Sequence, residues 1–150
     1  MKKLMANFFV WITCLIIIST GCKKNSLKVG QYYRGGIVYY VDPSGNTGYI
    51  VDSADLDITN WEQAEFDCSN DRNGGYSDWH LPSREELDHL YQYQKRYDTT
   101  GRFLKFNYWS AAELPGPGDE DSAYYQNFKT GVQSKAVQSA LFDVRAVRDF

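Results

Sequence analysis

Both helix-start signals in this chain fall between residues 59 and 86, and its β-rich runs lie on either side of that stretch. Helices gathered in the middle, with strands before and after, do not alternate as βαβ units, so the pattern predicts an α+β domain. The first signal, Thr59-Asn60-Trp61-Glu62, reads as a capping box; behind it Trp61, Ala64 and Cys68 share one face of a short helix ending near Ser69. In the second, Pro82-Ser83-Arg84-Glu85-Glu86, Ser83 is the N-cap and Glu86 stands three residues on. Leu87, Leu90 and Tyr91 carry that helix to about Gln94. Upstream, Ile37–Val41 and Tyr49–Val51 flank the turn-rich Asp42-Pro43-Ser44-Gly45-Asn46 as a hairpin. Downstream, Tyr108-Trp109-Ser110 is a strand, and Ala123–Phe128 turns back at Lys129-Thr130-Gly131. Phe142–Arg148 closes the chain as a one-sided, mostly alternating strand.

The amino terminus limits how much chain is left to fold. Lys2 and Lys3, an apolar run from Phe8 to Ile18 and the small residues Ser19-Thr20-Gly21 reproduce the basic, apolar and cleavage regions of an export signal. The apolar run is shorter than the roughly 20 residues a membrane span needs. Ile18-Ser19-Thr20-Gly21-Cys22 resembles the lipobox of bacterial lipoproteins. That resemblance implies cleavage before Cys22 and its acylation by several chains such as palmitate, enough for stable membrane anchoring; the plainer alternative is an uncleaved apolar anchor. The expected layout is a signal peptide over 1–21, a lipidated tether over 22–31 and one domain over 32–150. Lys23 and Lys24 after Cys22 carry no retention aspartate, which favours the outer membrane of the cell envelope and leaves the face open.

Charge and cysteine usage narrow the partners. The chain has 16 Lys and Arg against 19 Asp and Glu, and the signal removes only basic residues, so the domain is acidic and nucleic acid is not an expected partner. Cys14 leaves with the signal and Cys22 goes to lipid, so Cys68 has no disulfide partner and reads as a small buried apolar residue.

No enzyme, cofactor or metal centre is expected. His80 lies beside Ser77 and Asp78, which are triad residue types, but chain neighbours seldom adopt triad geometry. His89 reads as a solvated residue of the second helix. Two histidines and one buried cysteine match no zinc spacing. Asp119, Glu120 and Asp121 offer calcium ligands, although a solvated acidic loop is the simpler reading. Ligand binding has a better case, because aromatic faces stack on sugars while amides and carboxylates take the hydroxyls. Asp78, His80, Trp109, Glu113, Tyr125 and Asn127 are the candidate ligand-binding residues. The competing reading is that the strand residues among them alternate, with half in the core.

The most distinctive stretch is Gly74-Gly75-Tyr76-Ser77-Asp78-Trp79-His80-Leu81-Pro82-Ser83. Together with Gly35-Gly36-Ile37-Val38, Asn60-Trp61, Tyr108-Trp109-Ser110, Tyr125-Gln126-Asn127-Phe128 and Val144-Arg145-Ala146-Val147-Arg148, it resembles the Lcl C-terminal-domain family, named for a bacterial collagen-like adhesin. The resemblance implies a C-type-lectin-like domain: two short helices packed on small antiparallel sheets with long loops. It also implies attachment, to a glycan or to another envelope component, with assembly through protein contacts as the alternative. The sulfated-glycan role proposed for the adhesin wants Arg and Lys clusters, whereas this domain is net acidic. His80 and Ala111-Ala112 depart from the family's usual Arg and Ser-Thr. The lectin-like scaffold also resembles formylglycine-generating enzymes, whose chemistry needs reactive cysteines, and Cys68 stands alone.

Overall fold

The β-rich runs ahead of the helices pair as a hairpin in the computed structural model, which describes residues 27–98, 103, 106–114 and 121–150. The export signal, Cys22, Asp119 and Glu120 lie outside the described residues. β1 (Tyr32–Tyr33) pairs with β2 (Gly36–Val41), which runs antiparallel to β3 (Gly48–Asp52). Next come β4 (Ile58–Thr59), α1 (Trp61–Asn70), a 3-10 turn (Asn73–Gly75) and α2 (Arg84–Tyr97). β5 (Asn107–Glu113), β6 (Ser122–Asn127), β7 (Gln133–Val137), β8 (Phe142–Asp143) and β9 (Val147–Asp149) follow. One sheet has the order β1-β2-β3-β9 and the other β4-β8-β5-β6-β7. The fold is α+β, and no helix among the described residues is long and apolar enough to cross a membrane.

Local signals account for both helices. Ser83 and Glu86 form the expected reciprocal capping box, and acidic residues occupy the first turn of α2 while Lys95 and Arg96 occupy the last, matching the helix dipole. At α1 the cap is Asn60, whose side chain accepts from the Gln63 N–H, rather than a box from Thr59 to Glu62.

The closing strand differs from expectation. Phe142, Val144 and Ala146 pack into one core, but Val147 packs into the other. The segment therefore splits into β8, beside β4 and β5, and β9, beside β3. Between them the backbone bonds to a loop and to the end of β3: the Val144 N–H donates to the Asp57 carbonyl, and the Ala146 carbonyl accepts from the Asp52 N–H. Tyr108 and Asp143 make a parallel rung, so the second sheet is mixed rather than purely antiparallel.

Two cores result. One gathers Trp61, Ala64 and Cys68 of α1 with Val38, Ile50, Trp79, Trp109 and Val144. The other gathers Leu87, Leu90 and Tyr93 of α2 with Ile37, Val51, Tyr108, Phe128 and Val147. Adjacent residues of β2, β3 and β5 point into different cores, as strand alternation requires. A bulge between Val38 and Tyr40 interrupts that alternation and turns Tyr39 and Tyr40 both toward α2.

Candidate functional site

The capping box that starts α2 also positions an ionisable pair. Glu86 Oε2 accepts from the Ser83 N–H at 2.8 Å, which leaves Oε1 to meet His80 Nε2 at 2.9 Å. His80 is pinned to β9 by two backbone bonds with Val147, of 2.9 and 3.0 Å, and its side chain is 42% exposed. The bond to Glu86 outweighs burial and raises the His80 pKa. Burial pushes the Glu86 carboxyl up, but hydrogen bonds from His80 and Ser83 overcome it and hold the group below its ordinary range. Asp149, the last residue of β9, brings its carboxylate to the same place.

Asp78 looks elsewhere. Its two oxygens take Nε and Nη2 of Arg148, each at 2.8 Å, and the bonds from Arg148 hold its carboxyl below the usual range. Arg148 is 4% exposed, stacks on the Tyr76 ring at 3.9 Å and donates to the Arg34 carbonyl. Asp78 therefore braces a buried guanidinium, and His80 and Asp78 belong to separate pairs. Neither is bonded to Ser77, so no triad forms.

On the second sheet the strand residues divide. Trp109 is fully buried, with its indole N–H donating to the Thr59 carbonyl at 2.9 Å, so as placed it cannot stack on a ligand. Tyr125 packs on Phe142, with ring centres 4.7 Å apart, and is half-buried. Asn127 holds the β6–β7 turn: its Oδ1 accepts from the Lys129 and Thr130 backbones, and its amide donates to Asn107 Oδ1. Glu113 sits at the other end of the β5–β6 pair, opposite Ala123 and so about 13 Å along β6 from Asn127 at ordinary strand rise. The six candidates do not form one surface.

A shallow groove opens at the Asn127 end. It has a volume of about 330 Å³ and is lined by Ile58, Phe106, Asn107, Asn127, Leu141, Phe142 and Asp143. Ile58, Phe106 and Leu141 are exposed, while Asp143 is buried with its pKa raised by desolvation and then by Asp55. The groove joins an aromatic platform to two amides and a carboxylate. Of the sequence-based candidates it contains Asn127 alone; Ile58, Asn107 and Asp143 reach it from three strands, a grouping with no signature along the chain.

With this geometry in place, a model of the Lcl C-terminal domain matches residues 22–148. The chain belongs to the Lcl C-terminal domain family. No curated protein matches it. Among solved structures it is similar to botrocetin, at 14% identity and a TM-score of 0.42 over 80% of this chain and 93% of that one. It is likewise similar to a chain in the complex of a mutant von Willebrand factor A1 domain with botrocetin, at 13% identity and a TM-score of 0.43 over 80% and 95%.

The Lcl motifs have structural jobs. A Cβ on Gly74, whose φ is +65°, would stand 2.4 Å from the Gly35 Cα, so the two glycine pairs mark a point where backbones touch. Trp61, Trp79 and Trp109 are buried and each indole donates to a backbone carbonyl. Arg145 and Arg148 are both buried and both paired with aspartates. Cys68 lies on the buried face of α1, and burial followed by the Asp71 charge raises its thiol pKa well beyond the reactive range. His89 differs from expectation: it stacks on Tyr40 at 4.0 Å instead of standing free in solvent.

Proposed function

We propose that this protein is a non-catalytic, lipid-anchored envelope protein whose Lcl C-terminal domain binds a glycan or another envelope component through the Phe106–Leu141 groove. The observation that supports the reading is the groove itself, where an exposed aromatic stands beside Asn107, Asn127 and Asp143. An aromatic face next to planar hydrogen-bonding groups is what a sugar ring with its hydroxyls needs. Anchoring rests on Cys22 and the export signal before it, with the outer membrane as the proposed residence. Assembly through protein contacts is the second reading, and the apolar rim of Ile58, Phe106 and Leu141 favours it.

A glycan array probed with the full chain in detergent, with and without calcium, tests the first reading. Signal on defined sugars that falls at least tenfold in Phe106→Ala, an exposed position whose loss leaves the cores intact, is the expected result. Silence on all sugars, together with a stable protein complex, favours the second. For the anchor, radiolabelled palmitate is expected on the original chain and absent from Cys22→Ser; label retained in that variant overturns it.

A further inference from the structure

We propose that His80, Glu86 and Asp149 form a binding site for a divalent transition-metal ion, zinc foremost. One ligand atom from each lies within 4.8 Å of the others. Ligands of one ion at about 2.1 Å stand about 3 to 4 Å apart, so a small movement of the exposed Asp149 side chain closes the set. The other two are already held. Glu86 is fixed by its cap on Ser83, and the backbone of His80 is fixed by Val147.

The histidine is oriented as a ligand. Its Nδ1 faces the Asp78 carbonyl oxygen at 3.4 Å, which leaves Nε2 as the nitrogen turned to the carboxylates. Nε2 stands 2.9 Å from Glu86 Oε1, close enough for one positive centre to serve both atoms. A proton serves in the ion pair; a metal ion serves both atoms and Asp149 as well.

A second observation points to the same place. The Tyr39 hydroxyl is buried and finds no hydrogen-bond partner among the described residues, and the Tyr39 ring lies 5.8 Å from that of Tyr49, the cross-strand partner of Asp149. The β2 bulge is what turns it toward α2. Three protein ligands leave a zinc ion open to water. One imidazole with two carboxylates suits zinc or manganese better than calcium, which prefers six or more oxygens. The site is separate from the groove at the Asn127 end and stands independently of the reading made for it.

The test uses the full chain in detergent, stripped with EDTA and titrated calorimetrically with zinc sulfate, with manganese and calcium chlorides in parallel. One zinc per chain is expected, with manganese weaker and calcium weakest. His80→Arg keeps a cation against Glu86 but removes the ligand nitrogen, and Asp149→Asn changes an exposed side chain. Both variants are expected to keep the original melting temperature in EDTA and to lose zinc affinity tenfold or more. Absence of zinc binding in the original chain overturns the proposal, and so does unchanged affinity in Asp149→Asn, which decides alone should His80→Arg fail to fold.

Discussion

His80 is where the chain's chemistry is most exposed to pH. Its pKa is raised by Glu86, so the stability it contributes is fully present below the unfolded value of about 6.5 and fades as pH rises through the folded one. Glu86 is shifted down, so its contribution is present above about 4.5 and is lost as pH falls through its lowered folded value. The pair therefore stabilises most between about pH 4.5 and 6.5. In EDTA, urea midpoints of the original chain are expected to drop from pH 6 to 8 relative to His80→Gln; parallel pH profiles would count against this account. Residue types at this level were legible in the sequence, but their roles were not. Trp109 and Asp78 carry the groups a ligand site wants, yet one faces the core and the other braces Arg148, because partners distant in the chain claimed them.

At the scale of elements, the decisive joint is the contact of the β1–β2 turn with the 3-10 turn before α2. Gly74→Ala would place a methyl 2.4 Å from the Gly35 Cα in a left-handed backbone, with no flexible side chain to yield. It is expected to cost about 2 kcal/mol or more in urea unfolding. Gly45→Ala is the control, since φ there is +72° but nothing lies within 4 Å, and only about 1 kcal/mol of backbone cost applies. Equal losses at both positions would remove the close approach as the reason for Gly74. The α2 cap and the hairpins were legible because their signals lie within a few residues, as the Ser83–Glu86 box demonstrates. The break between β8 and β9 was not, since Phe142–Arg148 reads as one alternating strand until its backbone groups find separate partners.

Across the whole molecule, Arg145 ties the two sheets together. From the segment between β8 and β9 it donates to Asp55 Oδ1 at 2.6 Å and to the Asp52 carbonyl at the end of β3, while its guanidinium covers the Phe103 ring at 4.4 Å. Asp55 also accepts from the Tyr108 hydroxyl of β5. Removing one partner of a buried pair strands the other, so Arg145→Met is expected to cost about 3 kcal/mol. Because β5 supplies both cores, near-ultraviolet and far-ultraviolet circular dichroism should report one coincident transition; separate transitions would mean that the sheets unfold independently. By itself the sequence determined the α+β class, the capping box of α2, the first hairpin and the burial of Cys68, all of which rest on periodicity or on contacts a few residues apart. Only the tertiary structure decided which arginine meets which aspartate, which aromatics face solvent, and that His80, Glu86 and Asp149 share one corner. Those outcomes depend on packing between elements distant in the chain, and no local pattern encodes where such elements meet.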